Sequence, residues 1–115
     1  MTQSLALALS IAVEACVAAL AAQRLRWGAP APAALAAMLG TLATHVFVWE
    51  GVEDGMEAIG YWPALALAES AAVIVESLFY RWLATPRFGP ALALSALANA
   101  ASLGLGFLLY ATGLF

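Results

Sequence analysis

The chain has 115 residues, 65% of them hydrophobic and only 10% charged, with a mean hydropathy of +0.95; soluble domains run at roughly 45–50% apolar. A formal net charge of −3 with no lysine leaves no basic patch to follow a phosphate backbone, so nucleic acid is excluded as a partner. The single cysteine, Cys16, lies in an apolar run, which rules out a disulfide framework within one chain and makes packing its expected role.

Four apolar segments follow one another, at about 5–22, 32–49, 62–82 and 90–112. Each approaches the ~20 residues that cross ~30 Å of hydrocarbon. The first starts MTQSLALALS with no positive charge and carries Glu14 inside its apolar run. It therefore reads as part of the folded chain and not as a cleaved signal peptide. The connection after it holds Arg24, Arg26 and Pro30, and the one after the third segment holds Pro86 and Arg87, close to Arg81. The middle connection, EGVEDGMEAIGY at 50–61, has the acids Glu50, Glu53, Asp54 and Glu57 and no base, and is expected to be a solvated loop. It lacks the Asp/Asn/Gly spacing of a calcium loop. Pro32 and Pro90 sit at helix starts, where a missing backbone donor costs nothing.

All four arginines thus border the first and third connections. The positive-inside rule places those in the cytoplasm, with both termini and the acidic segment outside. The aromatics agree, with Trp27, Tyr80 and Trp82 near one boundary and Trp49, Tyr61, Trp62 and Tyr110 near the other. The expected fold is all-α: a single integral membrane bundle of four transmembrane helices. An internal 2+2 repeat would account for two matches. PAALAAMLGTLAT at 32–44 aligns without gaps on PALALSALANAAS at 90–102, pairing Thr41 with Asn99 and Thr44 with Ser102, and Val13-Glu14-Ala15 matches Val75-Glu76-Ser77.

The third segment, ALALAESAAVIVESLFYRW at 64–82, carries two carboxylates, Glu69 and Glu76, seven residues apart and so on one helical face, with Val73 and Tyr80 completing the stripe. Ordinary packing does not ask for acids there; ionisable groups inside a bilayer cost a few kcal/mol and face the protein interior, where they serve function. By depth, Glu14, Thr41 and Asn99 fall near mid-membrane, Glu69 slightly external, Glu76 slightly cytoplasmic, and His45 within about one turn of Glu69. Glu69 is therefore expected to neighbour His45 and Glu14, with Glu76 deeper. Ser95, Asn99, Ser102 and Gly106 repeat at the three-four spacing that lets membrane helices approach and hydrogen-bond, so Thr41, Thr44, Asn99 and Ser102 read as supporting polar residues.

A buried carboxylate needs a partner or a proton, and Glu14, Glu69 and Glu76 share one basic group, His45. Two chemistries fit Glu14, His45, Glu69 and Glu76: binding of protons or a cation, in a transporter or channel component, or ligation of a divalent metal as in carboxylate-bridged bundles. The metal version, a metal-dependent membrane enzyme, lacks a Glu-x-x-His motif, and no cofactor is required by the sequence. No nucleophilic triad, phosphate loop or zinc pair is present, so no catalytic residue is assigned. The competing class is a non-catalytic subunit or assembly factor of a larger membrane complex. A four-helix bundle is barely large enough to enclose a pathway, which favours a homodimer for a transporter.

Glu14 in the first of four helices resembles the small multidrug resistance transporters, which exchange protons for cationic drugs through such a glutamate. The chain departs from them in carrying Glu69 and Glu76 and in lacking their third-helix Trp and Gly pattern, so their activity is not carried over. TLATHVFVW at 41–49, AESAAVIVES at 68–77 and LANAAS at 97–102 together look like a group of small prokaryotic four-helix membrane proteins with a Thr-His element, two glutamates on helix 3 and Asn…Ser on helix 4. Val46 stands where that group often has proline, so a kink there has no support. The resemblance implies a prokaryotic cytoplasmic membrane and the same polar residues; it implies no activity.

Overall fold

The computed structural model describes residues 2–113. It contains α1 (Gln3–Leu25), α2 (Pro30–Ile59), α3 (Tyr61–Leu83) and α4 (Phe88–Ala111). Each is long and apolar enough to cross a membrane. Among the described residues the architecture is all-helical. Each helix packs on its chain neighbour and α1 closes on α4, so α1/α3 and α2/α4 stand diagonally opposed across the bundle axis.

The helix ends follow from local chemistry. Thr2 caps α1 by accepting a hydrogen bond from the Leu5 amide at 3.1 Å. Arg26 takes a left-handed conformation (φ 56°) at the other end, and the Trp27 amide bonds back to the Ala22 carbonyl at 3.0 Å. Pro30 opens α2, where its ring fits and its absent donor is not missed. The Ala84 and Thr85 amides both close on the Tyr80 carbonyl at 2.9 Å to end α3.

The middle connection differs from expectation. Residues 50–59 continue α2, and Gly60 alone, at φ 90°, separates α2 from α3. Only glycine takes that angle without strain. The reason lies in spacing: Glu50, Glu53, Asp54 and Glu57 fall at three-four intervals and form one exposed helical face. The opposite side, through Val52 and Gly55, is half-buried, and a Cβ on Gly55 would lie 3.2 Å from Ala64 Cβ. Four acids in a row of polar-looking letters read as a loop; their period makes them a helix.

The bundle is inverted relative to a soluble one. Its buried core is small or polar: Ala18, Ala22, Ala33, Ala36, Ala37, Ala91 and Leu94, with Ser77 and Ser95. Large apolar side chains point outward, Phe47 at 76% and Leu67 at 65% exposure among them. Small residues inside let helix backbones approach, and large ones outside suit a hydrocarbon solvent. These features are compatible with a multi-pass membrane protein. Cys16, expected to pack inside, is exposed on the outer face of α1.

The burial is uneven along the axis. Nearly all buried residues lie between the level of Glu14 and Glu76 and the arginine-bearing turns. Toward the acidic end, α1 has no buried residue before Glu14 and α4 none after Asn99.

Candidate functional site

Glu14 and Glu76 come from diagonally opposed helices and meet where the packed half ends. Both are buried, at 3% and 1% exposure, and their carboxyls lie within hydrogen-bonding reach of each other. Two carboxyls in such contact hydrogen-bond only when one of them carries a proton, because neither anion can donate. Each is also supplied with neutral donors. Thr44 Oγ1 lies 3.0 Å from both Glu76 Oε2 and the Gly40 carbonyl, which share its one proton, and Thr41 Oγ1 donates to Glu76 Oε1 at 3.3 Å. Ser102 Oγ donates to Glu14 Oε2 at 3.1 Å. Glu14 Oε1 is buried without a hydrogen-bond donor.

These bonds form a reciprocal pattern. Glu14 on α1 is served by Ser102 on α4, and Glu76 on α3 by Thr44 on α2. Glu14 with Glu76, and Thr44 with Ser102, are the pairs that the internal alignment matches. The acid of one half is thus solvated by the hydroxyl of the other. Asn99, matched to Thr41, lies within reach of Glu76, while its amide nitrogen donates to the Ser95 carbonyl at 2.9 Å. Ser95 Oγ in turn donates to the Val73 carbonyl at 2.7 Å and ties α4 to α3.

Sequence depth separated Glu76 from Glu14 and placed Glu14 beside Glu69; the geometry instead brings Glu14 and Glu76 together and leaves Glu69 elsewhere. Counting 1.5 Å per residue from the segment ends misplaces levels when a helix such as α2 runs ten residues past the end of its apolar run.

Glu69 and His45 line a cavity of about 720 Å³ that opens the acidic half of the bundle between all four helices. Trp49, Tyr61, Phe107 and Tyr110 form much of its wall, and Glu53 stands near its mouth. His45 stacks beside Trp49 with centroids 5.9 Å apart, and its buried Nε2 has no hydrogen-bond partner. Ser102 belongs to the wall and also donates to Glu14, so the cavity reaches the carboxyl pair through one hydroxyl.

Two residues were undervalued by sequence. Tyr80 was assigned to an interfacial belt, but it is fully buried, close enough to Glu14 and Glu76 to feel both charges, with its hydroxyl unpartnered. Its position four residues after Glu76 was the available signal. Gly40 went unremarked, yet a Cβ there would come within 3.0 Å of Glu76 Cγ, so the glycine makes the room in which Glu76 sits. Among the described residues no three His, Cys, Asp or Glu side chains converge on a metal-sized point, and Glu14, His45, Glu69 and Glu76 do not form one ligand set.

Compared with protein-family models, with curated proteins and with solved structures, the chain matches none. The functional reading therefore rests on this geometry.

Proposed function

We propose that the protein is an integral membrane proton- and cation-binding protein that exchanges the proton held between Glu14 and Glu76 for a cation entering from the acidic end. The observation that carries this reading is the buried Glu14–Glu76 pair, wrapped by hydroxyls and neighboured through Ser102 by an open cavity. Buried carboxyls in a membrane bundle are expensive, and a proton relay or ion site is what they ordinarily serve. Departure of one proton on arrival of one monovalent cation leaves the buried charge unchanged, so exchange avoids the cost of an unpaired anion.

In this reading the arginine-bearing turns face the cytoplasm of a prokaryotic cell and both termini and the acidic end of α2 face outward. The exposed Trp62, Trp82 and Tyr110 then sit at the membrane boundaries. The paired halves descend from a duplicated two-helix unit, and two copies of the chain associate as a homodimer.

The test is proton movement in liposomes reconstituted with the purified protein, followed with an internal pH dye while an outward-facing cation pulse is applied. Wild type is expected to release protons, and Glu14→Gln and Glu76→Gln each to abolish the release. Unchanged release in both variants overturns the reading. A protein that releases none, and whose variants fail only to bind a stoichiometric membrane partner, is the assembly subunit instead.

A further inference from the structure

His45 is the one histidine of the chain. It stands in the wall of the cavity of about 720 Å³ at the acidic end, yet its Nε2 is buried and has no hydrogen-bond partner. The ring's other nitrogen comes within reach of the Gln3 backbone at the start of α1, which leaves the lone pair on Nε2. Trp49, one turn along α2, packs beside the ring with centroids 5.9 Å apart. A side chain kept for packing alone would carry no unpaired nitrogen, because a buried acceptor without a donor forfeits the hydrogen bond it makes in water. The same nitrogen turned into the cavity would regain one.

The charges around the ring favour that turn once it is protonated. Glu69 of α3 lines the same cavity, and Glu53 of α2 stands near its mouth. The α1 side of the wall offers only Ala6 and Ser10, which do not titrate. The α4 side offers Ser102 and, exposed at the rim like Tyr61 of α3, Tyr110. Behind Ser102 lie Glu14 and Glu76, and all four arginines belong to the other end of the bundle. An imidazolium in the cavity therefore meets acids alone, whereas in the wall its Nε2 proton has no acceptor.

We propose that His45 carries protons across the open half: neutral, it rests with Nε2 against the wall; protonated, its ring turns into the cavity, pairs with Glu69 and releases its proton at the acidic end. The proposal deepens the proton side of the proposed exchange and rests on that reading for the source of the proton. The proton leaving the Glu14–Glu76 pair passes to Ser102 Oγ as the hydroxyl's own proton moves on to water in the cavity, and Nε2 takes it from there. His45 then gives it to the water outside, so Ser102 and His45 end as they began and one proton has moved. The cavity has room both for that water and for the turning ring. Water accepts protons poorly near neutral pH, and an imidazole, which titrates there, accepts them well.

Two measurements on the full chain in dodecyl maltoside test this, with every variant required to elute from size exclusion as wild type does. The first is NMR of the histidine ring across a pH titration, in which the single histidine needs no assignment. The ring should titrate, and its midpoint should fall in Glu69→Gln and hold in Glu69→Asp, since an anion nearby favours the imidazolium. A ring that keeps one charge state, or a midpoint unmoved in Glu69→Gln, overturns the proposal. The second is stopped-flow proton release, read with a pH dye in weakly buffered solution after a pulse of sodium or potassium chloride. His45→Ala should release as many protons as wild type but about tenfold or more slowly, and added imidazole should restore the rate by entering the space the ring has left. Release at the wild-type rate in His45→Ala, or slowed release that imidazole leaves unchanged, overturns the relay and keeps the exchange. A wild type that releases no proton, with its ring still titrating against Glu69, overturns the exchange reading and keeps the turn of His45.

Discussion

The two ends of the bundle are built on opposite principles. From Glu14 and Glu76 to the arginine-bearing turns, alanines at Ala18, Ala22, Ala33, Ala36, Ala37 and Ala91 let the backbones close, and Tyr80 and Leu94 fill what remains. From the same level to the acidic end, the four helices surround a cavity whose wall includes aromatic and acidic side chains. Side-chain size distinguishes the two: alanine on facing helices permits contact, whereas the open half presents Trp49, Phe107 and Tyr110 to the cavity. The carboxyl pair sits at the boundary, with Ser102 in the wall of the cavity on one side of it and the buried Tyr80 toward the packed half.

The largest effect should come from removing the boundary itself. The double variant Glu14→Gln/Glu76→Gln is expected to eliminate proton release while retaining helicity by circular dichroism, since two amides can hydrogen-bond where two carboxyls did. Retained release would show that the pair is not where protons are held.

Next comes the seal. Tyr80→Ala empties a fully buried site and should lower stability by about 3 kcal/mol, read as an earlier thermal transition in detergent, and should raise passive proton leak in liposomes. Tyr80→Phe deletes only a hydroxyl that has no partner and should be neutral or slightly stabilising. Equal leak in the two variants would mean that the hydroxyl, and not the ring, closes the packed end.

The packed end is also sensitive where its turns meet. A Cβ on Gly28 would fall 2.5 Å from the Ala84 carbonyl oxygen, so Gly28→Ala must displace one turn against the other. A loss of about 1–3 kcal/mol is expected from such overpacking. A comparable change in the open half, Gly106→Ala, meets nothing within 4 Å and should leave the melting temperature unmoved.

The smallest effects test the reciprocal hydrogen bonds. Thr44→Val and Ser102→Ala each remove one donor to a buried carboxyl and should each cost about 1 kcal/mol. Similar losses in the two would support equivalent halves. A much larger loss for Thr44→Val would mark Glu76 as the dominant acid, because Thr41 also serves it.

Several things were legible in the letters alone. Mean hydropathy, segment length and the arginine distribution define four membrane-length helices, because the cost of exposing backbone and charge to hydrocarbon depends on composition and not on partners. The residues Glu14, Thr41, Thr44, Glu76, Asn99 and Ser102 stood out because polar side chains in such runs are costly, and the structure places them all around one buried point. The helical period of Glu50, Glu53, Asp54 and Glu57 was present too, although their charge argued for a loop.

Which acids meet was decided only by the tertiary structure. Glu69 and Glu76 share a helical face, but two turns apart one lies in the wall of the open cavity and the other in the packed boundary. Sequence specifies the angle of a side chain about its own helix. The level at which two helices bring their side chains together depends on tilt, on glycines such as Gly40 that admit close approach, and on the aromatic residues that prevent it.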